Sequence, residues 1–169
     1  MVVRNALDAD QVLELLARTP ELIAVAASGL TPAQLAAAPG AGEWSLHQVL
    51  AHLRACADVW GGAMLAIAEE GRPSFRAVNP LTWIQSTDYL SRPFDSSLRE
   101  FREQRQRLLL RLRLLPPGGW ERVAEVTGAG RPLQRSVLFY GRWLAGHERS
   151  HRRQIRDTAA AVGAPGPRR

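Results

Sequence analysis

Val137 to Val162, VLFYGRWLAGHERSHRRQIRDTAAAV, decides how the rest of the chain is read. At 100° per residue, Val137, Tyr140, Leu144, His147, His151, Ile155, Thr158 and Val162 fall in one narrow stripe of a helix. Arg142, Arg149, Arg152, Arg153 and Arg156 gather on roughly the opposite side. A helix divided in this way buries its apolar stripe against other elements, and this one carries two imidazoles into that contact.

The sequence outside this segment supplies packing partners of the same kind. Asp10 to Ser28 is apolar at helical spacing, with an interruption at Thr19-Pro20, where a cap and a first residue can restart a helix. Thr31-Pro32-Ala33-Gln34 predicts a short capped helix. Ser45-Leu46-His47-Gln48 is a second capping box and opens a long helix to about Glu70. Ser97-Leu98-Arg99-Glu100 opens another, which runs to Leu115 and stops at Pro116-Pro117-Gly118-Gly119. The last helix starts near Ser136 and fades at Gly163.

Four long helices predict an all-α four-helix bundle. Between helices two and three lie about 25 residues containing Pro73, Pro80 and Pro93, too many for a tight antiparallel turn. A crossover of that length can travel the bundle and bring helix three back parallel to helix two. The joint from Pro116 to Arg135 is also long, and Val123 to Thr127 within it is a strand candidate. The expected organisation is one domain over residues 1–163 and a frayed tail over 164–169.

Composition narrows the class further. A chain of 169 residues with 46% hydrophobic and 22% charged residues is long enough to bury a core of its own. No secretory signal or membrane span is read, since Arg111 and Arg113 break the longest leucine run. One cysteine, Cys56, excludes an internal disulfide and suits a reducing cytoplasm. All 22 basic residues are arginine, a sign either of coding bias or of anion recognition by guanidinium forks. The net charge of +6 permits attraction to nucleic acid without marking a site for it.

The second long helix repeats the arrangement of the last. Its apolar face collects Val49, Leu53, Cys56, Trp60, Met64 and Ile67, with His52 at the edge of that face. His47 shares the outer side with Arg54 and Asp58. Three of the four histidines thus point inward. A buried imidazole needs a partner for each nitrogen, supplied either by core hydrogen bonds or by a divalent metal shared among the rings. Spacing alone leaves both readings open.

His147-Glu148-Arg149-Ser150-His151 also spells H-E-x-x-H, the zinc metalloprotease signature. The context for it is missing. Gln154 stands where a metzincin needs glycine, Asp157 stands where it needs the third histidine, and no glutamate follows Glu148. By angle Glu148 sits nearer Arg152, one turn on, as a helix-surface pair.

Two motifs point elsewhere. Glu43-Trp44-Ser45-Leu46-His47-Gln48-Val49-Leu50-Ala51-His52-Leu53 resembles the W-S-x-x-E/Q-V-L-x-H-L element of the DinB-like superfamily. His147 to Ile155 resembles that family's closing H-x-x-x-H-x-x-Q-I. The resemblance spans nearly the whole chain and implies a bundle of up-down-down-up topology. It also implies a divalent-metal site (zinc, nickel, manganese or iron) with His52, His147 and His151 as ligands. The position of Glu148 is commonly acidic in the family without being a required ligand, and His47 is expected in solvent.

Three neutral imidazoles leave coordination positions open, as in catalytic sites. Characterised relatives are thiol-dependent transferases and isomerases, and some are assigned as metal-dependent hydrolases. The resemblance therefore implies a thiol-dependent S-transferase, or a related metal-dependent enzyme, acting on a small electrophilic molecule with a low-molecular-weight thiol. No catalytic base is assigned. Asp58, Glu148 and Tyr140 are candidates to orient the imidazoles. Cys56, one turn from His52, is either a fourth ligand, a redox handle or a core thiol. Trp44, Trp60, Trp83, Tyr89 and Trp143 are candidates to line a pocket. The alternatives are a non-catalytic metal-binding protein associated with stress or DNA damage, a homodimer module, and nucleic-acid binding by the arginine stripe, which lacks interleaved aromatics.

Overall fold

Four long helical rods carry most of the computed structural model, which describes residues 6–71 and 74–163. The expected tail over 164–169, the first five residues of the expected domain and Pro73 lie outside the described residues. The first rod is α1, Ala9–Ala27, capped by Asp8 in a reciprocal box with Gln11. The interruption predicted at Thr19-Pro20 does not occur, and Pro20 lies inside a continuous helix. Proline costs a helix interior about 3 kcal/mol. Here the loss is outweighed because α1 buries Val12, Leu16 and Ile23 along the bundle on both sides of Pro20. A short helix, α2 (Pro32–Ala36), follows with the predicted Thr31–Gln34 capping box.

The second rod is compound. It consists of α3 (Leu46–Cys56), a π-helical segment over Ala57–Gly61, and α4 (Gly62–Ala68). Ser45 caps it as predicted, its hydroxyl accepting from the Gln48 N–H at 3.2 Å. The π segment takes in an extra residue per turn, which re-aims every side chain beyond it relative to a straight α-helix. It carries both Asp58 and Trp60.

The crossover contains β1 (Ser74–Arg76), α5 (Pro80–Trp83) and a 3-10 turn over Ile84–Ser86. Its position corrects one expectation. The face of α3 bearing His47, Arg54 and Asp58, expected in solvent, lies under the crossover and the third rod. Arg54 is buried, its Nη1 donating to the Ser97 hydroxyl at 3.0 Å and its Nη2 to Glu100 at 2.7 Å. The Arg54 guanidinium also stacks 3.8 Å from the Tyr89 ring centroid. His47 is half-buried, with Nε2 3.3 Å from the Tyr89 carbonyl.

The third rod, α6, spans Phe94–Arg113 and begins one turn before the predicted Ser97 start. Ser97 is not free to cap, because its buried hydroxyl accepts from Arg54. In the last joint, β2 (Val123–Thr127) occupies the predicted strand segment and forms the middle of a three-stranded sheet. It pairs parallel with β1 and antiparallel with β3 (Leu133–Ser136). The fourth rod, α7, runs from Val137 to Gly163, and the Ser136 hydroxyl accepts from the Phe139 N–H at its start.

The core falls into two clusters. Val12, Leu16, Met64, Leu112, Val137 and Leu144 anchor one. Ile23, Leu46, Leu50, Leu53, Phe101 and Ile155 anchor the other. On α6 and α7 the division between them coincides with a buried ion pair, Arg105–Glu148. Glu148 therefore does not pair with Arg152 on the helix surface as its angle suggested. It crosses the interior to α6, where Arg105 is the counter-charge for a carboxylate taken out of water.

Candidate metal centre

α3 and α7 bring His52, His147 and His151 together. One nitrogen from each ring lies within 4.8 Å of the others. His147 is central, its Nε2 standing 2.9 Å from His52 Nε2 and 3.0 Å from His151 Nε2. His52 is buried, and the other two rings are half-exposed at the groove between the helices. Two aromatic side chains border the cluster. Trp44 lies edge-on to His52 and parallel to His151, and Trp60 lies edge-on to His147 with ring centroids 5.0 Å apart.

The donor chemistry fits a cation. His151 Nδ1 lies 2.8 Å from Gln154 Oε1, an acceptor that fixes the proton on Nδ1 and leaves Nε2 as a bare lone pair. His147 Nε2 faces two other Nε2 atoms, and a single proton on it can bridge only one of them. At least one of these close nitrogen pairs is then left without a hydrogen bond, a contact that a cation between the rings would relieve. Gln154, the glutamine of H-x-x-x-H-x-x-Q-I, is the orienting residue that the candidates Asp58, Glu148 and Tyr140 did not include. Asp58 is occupied by Trp83, Tyr89 and Gln104, and Glu148 by Arg105.

Electrostatics agree with neutral rings. Burial first, then the neighbouring charges of His151 and His147, lower His52 to about 4. Burial and His151 lower His147 to about 4, and burial lowers His151. Cys56 lies with Sγ 3.4 Å from His52 Nε2. Burial, reinforced by the Glu148 charge, pushes its thiol pKa upward, so the sulfur keeps its proton. The donor atoms that lie within 4.8 Å of one another are those of the three histidines, without the Cys56 sulfur, which places Cys56 as a core thiol beside the cluster.

A pH dependence follows for the metal-free protein. His52 and His147 titrate at about 4 when folded, against 6.5 for an unperturbed ring. The unfolded chain therefore binds more protons between those values. The stability these rings allow is complete above the unfolded value and is lost as pH falls toward the folded one. Urea midpoints of chelator-treated protein should decline from about pH 7 to about pH 4.5, less steeply in His52→Ala. An identical slope in His52→Ala would contradict this.

The arginine stripe of α7 is not uniform. Arg142 donates to the Leu7 carbonyl and Arg156 pairs with Asp157. Arg149, Arg152, Arg153 and Arg156 border a groove floored by Leu22, Val25 and Ala26 of α1. Among the described residues, no helix is long and apolar enough to cross a membrane.

Comparison with known proteins agrees with this architecture. A solved structure from Bacillus subtilis, YfiT, described as a probable metal-dependent hydrolase with an unusual four-helix bundle topology, superposes with a TM-score of 0.77. It shares 19% identity, and the match covers 98% of this chain and 95% of that one. No curated protein matches the chain. The family model of the DinB superfamily matches residues 15–155. With that match over most of its length, the chain belongs to the DinB superfamily.

Proposed function

We propose that this protein binds a divalent metal (zinc, nickel, manganese or iron) through His52, His147 and His151. We further propose that it works as a thiol-dependent S-transferase on a small electrophilic molecule, with a low-molecular-weight thiol as co-substrate. The observation that carries the reading is the convergence of three neutral imidazole nitrogens at a half-exposed groove. A divalent cation at such a site keeps coordination positions open and acidifies a thiol or a water. The chain's own part is to hold His151 by Gln154, to keep the rings unprotonated by burial, and to flank them with Trp44 and Trp60. In the transfer, the thiol sulfur forms a bond to the electrophilic carbon, the leaving group departs with its electron pair, and the thiol proton passes to solvent. Cys56 is buried, and in this reading the nucleophile is the sulfur of the low-molecular-weight thiol.

The up-down-down-up course of the bundle belongs to the same reading. Contacts that rise together along the second and third rods support it: Arg54 with Glu100, Asp58 with Gln104, Glu69 with Arg111. Those between the second rod and α7 run oppositely, His52 meeting His147 and Met64 meeting Gly141.

A second reading replaces the thiol by water, giving a metal-dependent hydrolase, and the description of the similarly folded YfiT favours it. One experiment serves both. Protein purified without a metal-affinity tag is analysed for metal, then assayed with several thiols against epoxides and alkyl halides, and with esters and amides without thiol. Near-stoichiometric metal with thiol-dependent turnover is the expected result. Metal below about a tenth of an equivalent would remove the site, and turnover without thiol would select the hydrolase.

A further inference from the structure

A cavity of about 270 Å³ is walled by Trp60, Ala63, Ala66, Phe75, Trp83 and Tyr140, with Trp60 standing between it and His147. An apolar void of about 150 Å³ is enough for benzene. This one takes a ring with a short chain, or two fused rings. Its walls come from separate parts of the chain. The second rod gives Trp60, Ala63 and Ala66, α7 gives Tyr140, and the crossover gives Phe75 and Trp83.

The crossover wall is fastened. Trp83 Nε1 donates to Asp58 Oδ2 at 3.1 Å, the Tyr89 hydroxyl donates to the same oxygen at 2.7 Å, and Gln104 Nε2 donates to Oδ1. The Asp58 carboxylate, at the cavity rim, is thus committed to three donors. The other charge at the rim is Arg76, which is exposed and has no carboxylate within ion-pair distance among the described residues. Arg76 lies across Gly128. A Cβ on that glycine would meet Arg76 Cγ at 2.7 Å and both Cζ and Nε at 3.2 Å, and its φ of +85° favours glycine. The strand pair β1–β2 holds the two residues side by side, with Arg76 opposite Thr127. Trp60 joins the cavity to the histidines, since its ring also packs edge-on against His147.

We propose that this cavity binds the ring of a small aromatic carboxylate, with Arg76 gripping the carboxylate. The substrate class is then an arene that carries an anionic group and presents its reacting substituent past Trp60. The substrate role rests on the reading of the histidine cluster as the reaction centre, whereas the binding role stands by itself. An apolar wall selects the ring, and a guanidinium seated on a glycine gives the two-pronged donor that a carboxylate fits.

Calorimetric titration of metal-free and zinc-loaded protein with 1-naphthylacetate and its neutral amide tests this. Saturable 1-naphthylacetate binding is expected in both forms. Arg76→Gln, on an exposed strand, should weaken the carboxylate about 10-fold and leave the amide unchanged. Ala66→Leu, which fills the cavity, should weaken both about 10-fold or more. His147→Ala should keep naphthylacetate binding and lose the metal. No saturable binding to a zinc-loaded protein, or equal affinity in wild type, Ala66→Leu and Arg76→Gln, would overturn the cavity assignment alone. Intact cavity binding in a protein that never takes up metal would overturn the histidine reading, and with it the substrate role.

Discussion

Replacing His147 with alanine is expected to abolish the stabilisation of the protein by zinc while leaving the metal-free protein close to wild type. His147 is the hinge of the cluster, the one ring whose nitrogen lies within 3.0 Å of both others. Removing it leaves His52 and His151 on different helices with no nitrogen between them. Loss of an outer-sphere partner alone lowers metal affinity about 10–100-fold, so loss of this donor should exceed that range. At a free zinc concentration 100 times Kd, binding adds about 2.7 kcal/mol to stability. For a chain of this size that is a rise in Tm of about 5–11 °C. Wild type should show the shift and lose it with chelator, and His147→Ala should show none. His47→Ala is the control, because His47 contacts the Tyr89 carbonyl and stands apart from the cluster. A zinc shift in His147→Ala equal to that of wild type would place the metal elsewhere.

The parts of this site that were legible in the sequence share a physical origin. His147 and His151 lie one turn apart on a single uninterrupted α-helix, where angle alone fixes their common face. His52 precedes the π segment in its helix, so its angle was likewise undisturbed. What escaped depends on contacts between distant segments. The outward angle of Arg54 and Asp58 holds for an isolated helix, but the crossover covers that face, and Tyr89 and Trp83 turn it into an interior. Ser97 looked like a cap because its competing partner, Arg54, is 43 positions away. The strands β1 and β3 are only three and four residues long, too short to show alternation, and exist because they pair on either side of β2, which buries Ala124 and Val126 in the core. Gln154 was visible within a motif, yet its role needed the 2.8 Å contact to His151 Nδ1.

The Arg105–Glu148 pair yields the other large effect. Both side chains are almost wholly buried, 2% and 1% exposed, between the two apolar clusters. The pair is under-satisfied, because Arg105 Nε and Nη1 and Glu148 Oε2 have no hydrogen-bond partner among the described residues. Each buried polar atom left unpaired costs about 1–3 kcal/mol. Breaking the pair from one side strands a full charge in that setting. Arg105→Met and Glu148→Leu should therefore each destabilise by about 3–5 kcal/mol. The double variant removes both charges and lets the apolar clusters meet across the gap. Its stability should return to within about 1–2 kcal/mol of wild type or exceed it, as happens when buried pairs are exchanged for well-packed apolar side chains. Urea unfolding in excess chelator measures this thermodynamic cycle without a contribution from metal. A coupling of several kcal/mol between the two positions is expected. Additive single losses, or single variants within about 0.5 kcal/mol of wild type, would mean that the charges are not held together in the core. Zinc content of the double variant then separates stability from function. Glu148 is flanked by the cluster's two α7 histidines but spends its charge on Arg105, so a refolded double variant should still bind zinc through the three imidazoles. The acidic letter of H-E-x-x-H would thereby be assigned to the bundle's interior instead of to the metal.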